Sequence, residues 1–246
     1  MSTTNSRVIE LQNELTGLGN PVIAEHSQRY FKTGPGEYGE GDLFIGVRVP
    51  VVRSVGKQYR DLSPGEIYEL AQSPLHEHRL CAVQILAAQY QRSKSQEQQG
   101  ELFSLLLTLV AEGRVNNWDL VDTSAPYVGG YLLQIENFQV LLDSLARSEN
   151  LWERRTAVML TAGLIRVDVF DPTLKLCRDL LGDAHDLIHK ATGWMLREIG
   201  RRDRTVLRGF LDEYATVMPR TMLRYAIEHL DVPERAHYLA LKSLLA

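Results

Sequence analysis

Apolar residues recur at intervals of three and four along most of the chain, as at Ile67, Leu70 and Ala71 and again at Leu80, Val83, Leu86 and Ala87. This spacing puts them on one face of a helix, in segments of about 10 to 18 residues. Helix-start signals separate the segments. Ser63-Pro64-Gly65-Glu66 has the form of a capping box with proline at the first helical position. Asp171-Pro172 and Met218-Pro219 also place proline at helix starts, and Ser148, Asp186, Asp203 and Asp231 are candidate N-caps. Alternation of apolar and polar residues is confined to Phe44 to Val49, inside a glycine-rich loop, so no strand pattern competes. The polar N-terminal stretch up to Gly19 reads as an amphipathic helix, and no apolar run approaches the roughly 18 residues of a membrane span.

The helical pattern repeats. Segments beginning at Arg79 (RLCAVQILAAQY), Arg155 (RTAVMLTAGLI) and Lys190 (KATGWMLREIG) share a basic residue, then small residues, then an aliphatic run. Ala82 and Ala157 are 75 residues apart, about twice the 36 residues from Ala157 to Gly193. A unit of this length is a two-helix hairpin, which cannot bury its apolar face alone and must stack on its neighbours. The expectation is an all-α superhelical solenoid with a concave groove, forming one domain over 1–246.

Composition changes this picture little, but charge changes it more. Hydrophobic residues make up 44% and charged residues 24%, enough apolar surface for a core without staples. Cys81 and Cys177 stand alone with no CxxC spacing, which fits a reduced cytosolic setting. The net charge of −4 argues against a nucleic-acid partner. Its distribution argues the other way: residues 1–150 carry 12 Lys and Arg against 18 Asp and Glu, whereas residues 151–210 carry 11 against 8. A basic surface in that second stretch, with Arg154, Lys190, Arg197 and Arg201, would attract an anion despite an acidic total.

The distinctive chemistry lies in NNWDLVDTSAPYVGGY, residues 116–131. On a helix, Trp118 and Asp122 are related by i, i+4 and point an indole and a carboxylate into the same space. Arg155 follows Trp118 by 37 residues and Trp194 follows Arg155 by 39, so the solenoid reading places the three in one row across adjacent repeats. Two rival motifs are weaker. His185-Asp186-Leu187-Ile188-His189 has the histidine spacing of a zinc protease, but aspartate stands where the general base must be glutamate, so no metal site is expected. The glycine-rich loop of residues 34–50 lacks GK[ST] and follows a helix, so it is neither a P-loop nor a dinucleotide fingerprint. It reads as a long connection whose tip, backed by Arg48 and Arg53, touches a partner.

Taken together, WDLVD, the arginine pair of LWERRTAV, KATGWMLRE and the upstream EYGEGDLFIGVRVPVVR resemble the bacterial DNA alkylation repair proteins of the AlkD type, DNA glycosylases built from HEAT-like helical repeats. The resemblance runs from about Tyr30 to about Arg224. It implies a DNA glycosylase that hydrolyses the N-glycosidic bond of cationic N3- or N7-alkylated purines in double-stranded DNA, without cofactor, as a monomer in the cytosol or nucleoid. It implies that Asp122, Trp118 and Trp194 surround the deoxyribose, that Arg155 holds a backbone phosphate and that Tyr30 contacts DNA. Arg48, Arg53, Arg154, Lys190, Arg197 and Arg201 are the further DNA-binding candidates. The chemistry of the residues agrees: a cationic base leaves readily, so the charge to be stabilised is on the sugar, which a fixed carboxylate and two aromatic faces can oppose. Two alternatives remain open at this point, a non-catalytic binder of branched or distorted DNA and a protein-binding helical scaffold.

Overall fold

A computed structural model describes residues 6–241, and among them the architecture is all-α. The only extended pairing among these residues is a bridge between Leu43 and Leu75. No helix among them is long and apolar enough to cross a membrane. The chain divides between Val128 and Gly129 into two compact units.

The first unit holds α1 (Ser6–Gly17), α2 (Pro21–Tyr30), α3 (Val49–Gln58), α4 (Pro64–Ala71), α5 (His76–Arg92), α6 (Gln96–Ala111) and α7 (Trp118–Val128). Its centre is α5, which packs against α3, α4, α6 and α7. Packing on most of its circumference leaves α5 little solvated surface, and even its charged first turn (His76, Glu77, His78, Arg79) is buried. Leu11 and Leu15 from α1, Ile67 and Leu70 from α4, and Leu102, Leu106 and Leu109 from α6 close the core around it. The N-terminal segment is the amphipathic helix expected, with Val8, Leu11 and Leu15 buried; its first five residues lie outside the described chain.

The second unit opens with a 3₁₀ turn (Gly129–Gln134) and continues through α8 (Phe138–Ala146), α9 (Leu151–Leu160), α10 (Ala162–Ile165), α11 (Asp171–Asp179), α12 (Asp186–Arg202), α13 (Arg204–Tyr214), α14 (Arg220–Ala226) and α15 (Val232–Leu241). Here α12 plays the central part, packed on α9, α11, α13 and α14. Two glycines allow the closest backbone approach: a Cβ on Gly129 would lie 1.9 Å from the Leu160 carbonyl oxygen, and one on Gly163 would lie 2.2 Å from the Gly129 carbonyl carbon. The 3₁₀ turn therefore rests directly on the α9–α10 corner.

Helix punctuation follows the sequence closely. Ser63 and Glu66 form the reciprocal capping box, and Asp203 and Asp231 accept from the first turns of α13 and α15. Two expected caps move by a residue or two. Asn150, whose side chain accepts from Trp152, caps α9 in place of Ser148, which instead receives the Asn150 N–H. His185 caps α12 through its ring nitrogen, so Asp186 is the first helical residue.

The repeat reading has a concrete counterpart. Ala82, Ala157 and Gly193 are buried on α5, α9 and α12, the helices at the centres of packing. In the same register, Arg79 donates to the carbonyls of Ser73 and Pro74 and pairs with Asp42, while Arg154 donates to the carbonyls of Ser148 and Glu149 and pairs with Asp183. Each arginine ties its helix start to the turn five and six residues before it and to one aspartate.

Candidate functional site

In the first unit, α7 starts at Trp118, whose N–H is received by the Asn117 side chain at 2.9 Å. Asp122 follows one turn later, and both residues are half-buried. Pro126 sits inside α7 and has no N–H to donate to the Asp122 carbonyl, so the helix lacks that bond just behind the carboxylate. The Trp118 ring stacks on Phe31 (centroids 5.2 Å, 20°) and meets Tyr30 edge-on at 6.1 Å. Phe31 stacks in turn on Phe44, and Phe44 on the imidazole of His76 at 4.3 Å. Tyr30, 58% exposed, is the solvent end of this aromatic column.

The column is anchored by a buried charge network. His76 lies between two carboxylates, Nδ1 2.7 Å from Asp42 and Nε2 2.8 Å from Asp119, and Arg79 pairs with the other oxygen of Asp42. Asp119 directly follows Trp118 in the first turn of α7. Burial is the largest influence on the imidazole and favours the neutral form, but the charge and hydrogen bond of Asp119, joined by Asp42, outweigh it and lift the pKa to about 9. Burial likewise pushes Asp42 up, and His76 and Arg79 more than offset it, leaving its pKa below the usual value. His76 is thus a buried imidazolium that joins α5, the loop and α7.

The glycine-rich loop is tied down at both ends. Glu37 and Glu40 close the tip by accepting the N–H groups of Gly34 and Gly36, and the far side is fixed by the buried Glu77 carboxylate, which accepts from Ile45, Gly46 and Val47 at 2.7 to 3.1 Å. Gly46 makes this nest possible, with φ +82° and no room for a Cβ, which would fall 2.1 Å from the Asn20 carbonyl oxygen. The loop is therefore the floor under Trp118. Asp42, His76, Glu77 and Phe31 were not singled out from sequence. The signal available was four charged or imidazole side chains in one turn of an otherwise apolar helix, His76 to Arg79, which can be buried only if partnered.

Arg48 is exposed immediately before α3, and Arg53 is exposed on α3.

In the second unit, Trp194 is half-buried on α12; its Nε1–H donates to Glu198 at 3.1 Å and the Arg197 guanidinium lies 6.0 Å from its ring. Arg155 is 4% exposed, and its Nη1 donates to the Leu187 carbonyl. It ties α9 to the first turn of α12.

The cations of the basic stretch are extensively paired. Arg154 is held by Asp183 and two carbonyls. Lys190 pairs with Asp186, Arg197 with Glu228, Arg201 with Glu198, Arg202 with Asp168 and Arg208 with Glu234. Glu228 and Glu234 come from outside the segment, and Asp186 and Glu198 from the preceding turn of the same helix. The local excess of cations is largely neutralised. His189 donates its Nε2–H to the Asp183 carbonyl, and His185 is the α12 cap, so both rings of the HxxxH pair have structural partners. Among the described residues no group of three or more His, Cys, Asp or Glu is placed to hold a metal.

The comparisons with known proteins agree with this architecture. The family described as DNA alkylation repair enzyme matches residues 11–230. No curated protein matches the chain. Among solved structures, a predicted DNA alkylation repair enzyme from Enterococcus faecalis is 19% identical with a TM-score of 0.66, covering 87% of this chain and 97% of that one. AlkD2 from Streptococcus mutans is 15% identical with a TM-score of 0.53, covering 94% of this chain and 100% of that one. Both share the helical-repeat fold.

Proposed function

Because the chain belongs to the DNA alkylation repair enzyme family, we propose that it is a monofunctional DNA glycosylase that hydrolyses the N-glycosidic bond of cationic N3- or N7-alkylated purines in duplex DNA. The observation that carries this reading is the pairing on α7 of a braced indole with a carboxylate one turn later, Trp118 and Asp122. An alkylated purine cation leaves as a neutral base, so the barrier lies in the positive charge that develops on the deoxyribose. Asp122 opposes that charge and orients the attacking water. The Trp118 face adds its negative quadrupole lobe and excludes bulk water. Tyr30, at the exposed end of the aromatic column, contacts the DNA.

The bracing of Trp118 supports this role energetically. A ring held by Phe31, Phe44 and the buried His76 loses little freedom when a sugar packs on it, so its interaction is not spent on ordering the side chain. The protein acts as a monomer and needs no cofactor for a reaction that consumes only water.

The test is release of 7-methylguanine from a defined duplex in single-turnover conditions. Asp122→Asn keeps the shape and removes the charge, and release is expected to fall by roughly 100-fold or more, the range for losing one preorganised electrostatic group. A wild-type protein that binds the duplex and releases no base overturns the glycosylase reading and leaves a non-catalytic DNA binder.

A further inference from the structure

We propose that the cleft between α3 and α5 in the first unit is a subsite for the phosphodiester backbone of a nucleic-acid strand. The cleft has a volume of 330 Å³, within the range of sites that enclose part of a ligand and larger than one ion requires. Four cations line it: Arg53 and Lys57, one turn apart on α3, Arg60 just beyond that helix, and Arg92 at the end of α5. No carboxylate is among the lining residues. Among the described residues none of the four takes part in a salt bridge; Asp61, the nearest acid in sequence, is engaged by Arg7 at 2.7 Å, and Arg92 donates only to the Arg60 carbonyl.

In the second unit, by contrast, Arg154, Arg197, Arg201, Arg202 and Arg208 are each paired with a carboxylate. In a chain of net charge −4, four cations without a salt bridge around one cavity repel one another, and an anion that enters relieves this. A second observation points to a ligand with hydrogen-bonding oxygens. Gln84, in the wall, has both its side-chain nitrogen and oxygen withdrawn from solvent with no hydrogen-bond partner. An unpaired buried amide is unfavourable, and a small turn toward the cleft lets it donate to a ligand oxygen. Phosphodiester oxygens suit both features, since the guanidinium forks of Arg53, Arg60 and Arg92 match phosphate geometry.

The site abuts the proposed reaction centre. Thr123, next to Asp122, and Tyr127, a turn further along α7, form one wall. A strand whose phosphates lie on Arg53, Lys57 and Arg60 is thereby fixed relative to the helix that bears the carboxylate. The inference rests on the reading of the chain as a DNA-acting protein, and the experiment keeps the two apart.

The salt dependence of duplex binding is measured for wild type, for Lys57→Gln/Arg60→Gln, and for Lys94→Gln/Arg235→Gln, which removes two exposed cations elsewhere. Each phosphate contact contributes about 0.9 to the log–log slope, so the cleft variant is expected to lose about 1.8 in slope and between tenfold and a hundredfold in affinity at 0.1 M salt. The control pair is expected to change the slope by less than half as much. Base release does not enter this readout, so inactivity toward alkylated DNA leaves it intact. In parallel, the Arg Nε–H resonances are followed by NMR while the dinucleotide pTpT or inorganic phosphate is added. Shifts of the Arg53 and Arg60 resonances with pTpT support the subsite even if duplex binding proves absent and the repair reading falls. An unchanged slope in the cleft variant, a response to inorganic phosphate without one to pTpT, or no response to either ligand overturns it.

Discussion

The buried imidazolium of His76 makes stability depend on pH in a window that few other groups share. Its folded pKa of about 9 lies above the 6.5 of an ordinary imidazole, so the folded state holds the proton more tightly than the unfolded chain. The stabilisation is complete below pH 6.5 and is lost as the pH rises through 9. At about 1.4 kcal/mol per pH unit the full effect is about 3 kcal/mol, of which roughly 2 to 3 kcal/mol disappears between pH 6.5 and 8.5. Competing titrations lie outside that interval. His78, pushed down to about 4 by burial, and His185, also lowered by burial, cost stability only as the pH falls below about 6.5. The Cys81 thiol, pushed up to about 12 by burial, costs stability only where unfolded thiols ionise, near pH 9 and above. Urea unfolding at pH 6.5, 7.5 and 8.5 is therefore expected to show a midpoint falling by about 1 M in total. His76→Gln, which cannot take the proton, starts lower by several kcal/mol because Asp42 and Asp119 are left without their shared cation, and its midpoint is flat over the interval. An imidazole that titrates near 6.5 by NMR, or a wild-type midpoint that does not move while His76→Gln matches it, refutes the network as the anchor of Trp118.

Two further perturbations test the supports of the site. Gly163→Ala forces a Cβ to within 2.2 Å of the backbone of Gly129 and Gly130 and is expected to cost more than about 3 kcal/mol, lowering Tm by roughly 10 °C; Gly182→Ala, with nothing within 4 Å, is the calorimetric control expected to move Tm by less than a quarter of that. Glu77→Gln removes the charge from a carboxylate that accepts three backbone N–H groups and is expected to cost about 2 kcal/mol, with hydrogen exchange accelerated at Ile45, Gly46 and Val47. Unchanged exchange at those three amides would show that the loop is held by other contacts.

Much of the fold was legible because helix physics is local. Capping boxes, proline at first turns and three-to-four spacing act within a few residues, and Ser63, Asp203 and Asp231 cap their helices as their sequence neighbourhoods imply. The errors at Ser148 and Asp186 are of one kind, since several polar residues precede each helix and the backbone turn decides which side chain reaches the N–H groups. The glycine-rich loop was less legible. Its destination depends on Glu77 and His76, residues about 30 positions away whose burial is set by tertiary packing, and local pattern alone reports them as ordinary helix-surface charges.

The cations show most clearly what a sequence count cannot supply. A segment sum treats every Lys and Arg as available, yet what a cation offers an anion depends on whether a carboxylate already holds it. Arg197, Arg202 and Arg208 are held by Glu228, Asp168 and Glu234 from 26 to 34 residues away. Arg154 is held differently, because it serves the repeat itself: Arg79 occupies the position of Arg154 in the first unit and makes the same bonds to two preceding carbonyls and an aspartate. Self-similarity therefore carried the relevant information, since a basic residue recurring at one repeat position is explained by the repeat before it is explained by a ligand. Arg53, Lys57 and Arg60 are among the cations with no such duty in the described residues, and they lie in the part of the chain whose charge sum is negative. Electrostatic attraction for a phosphate backbone should consequently be strongest where the sum predicted repulsion, and neutralising Lys57 and Arg60 should weaken duplex binding more than neutralising Arg197 and Arg202.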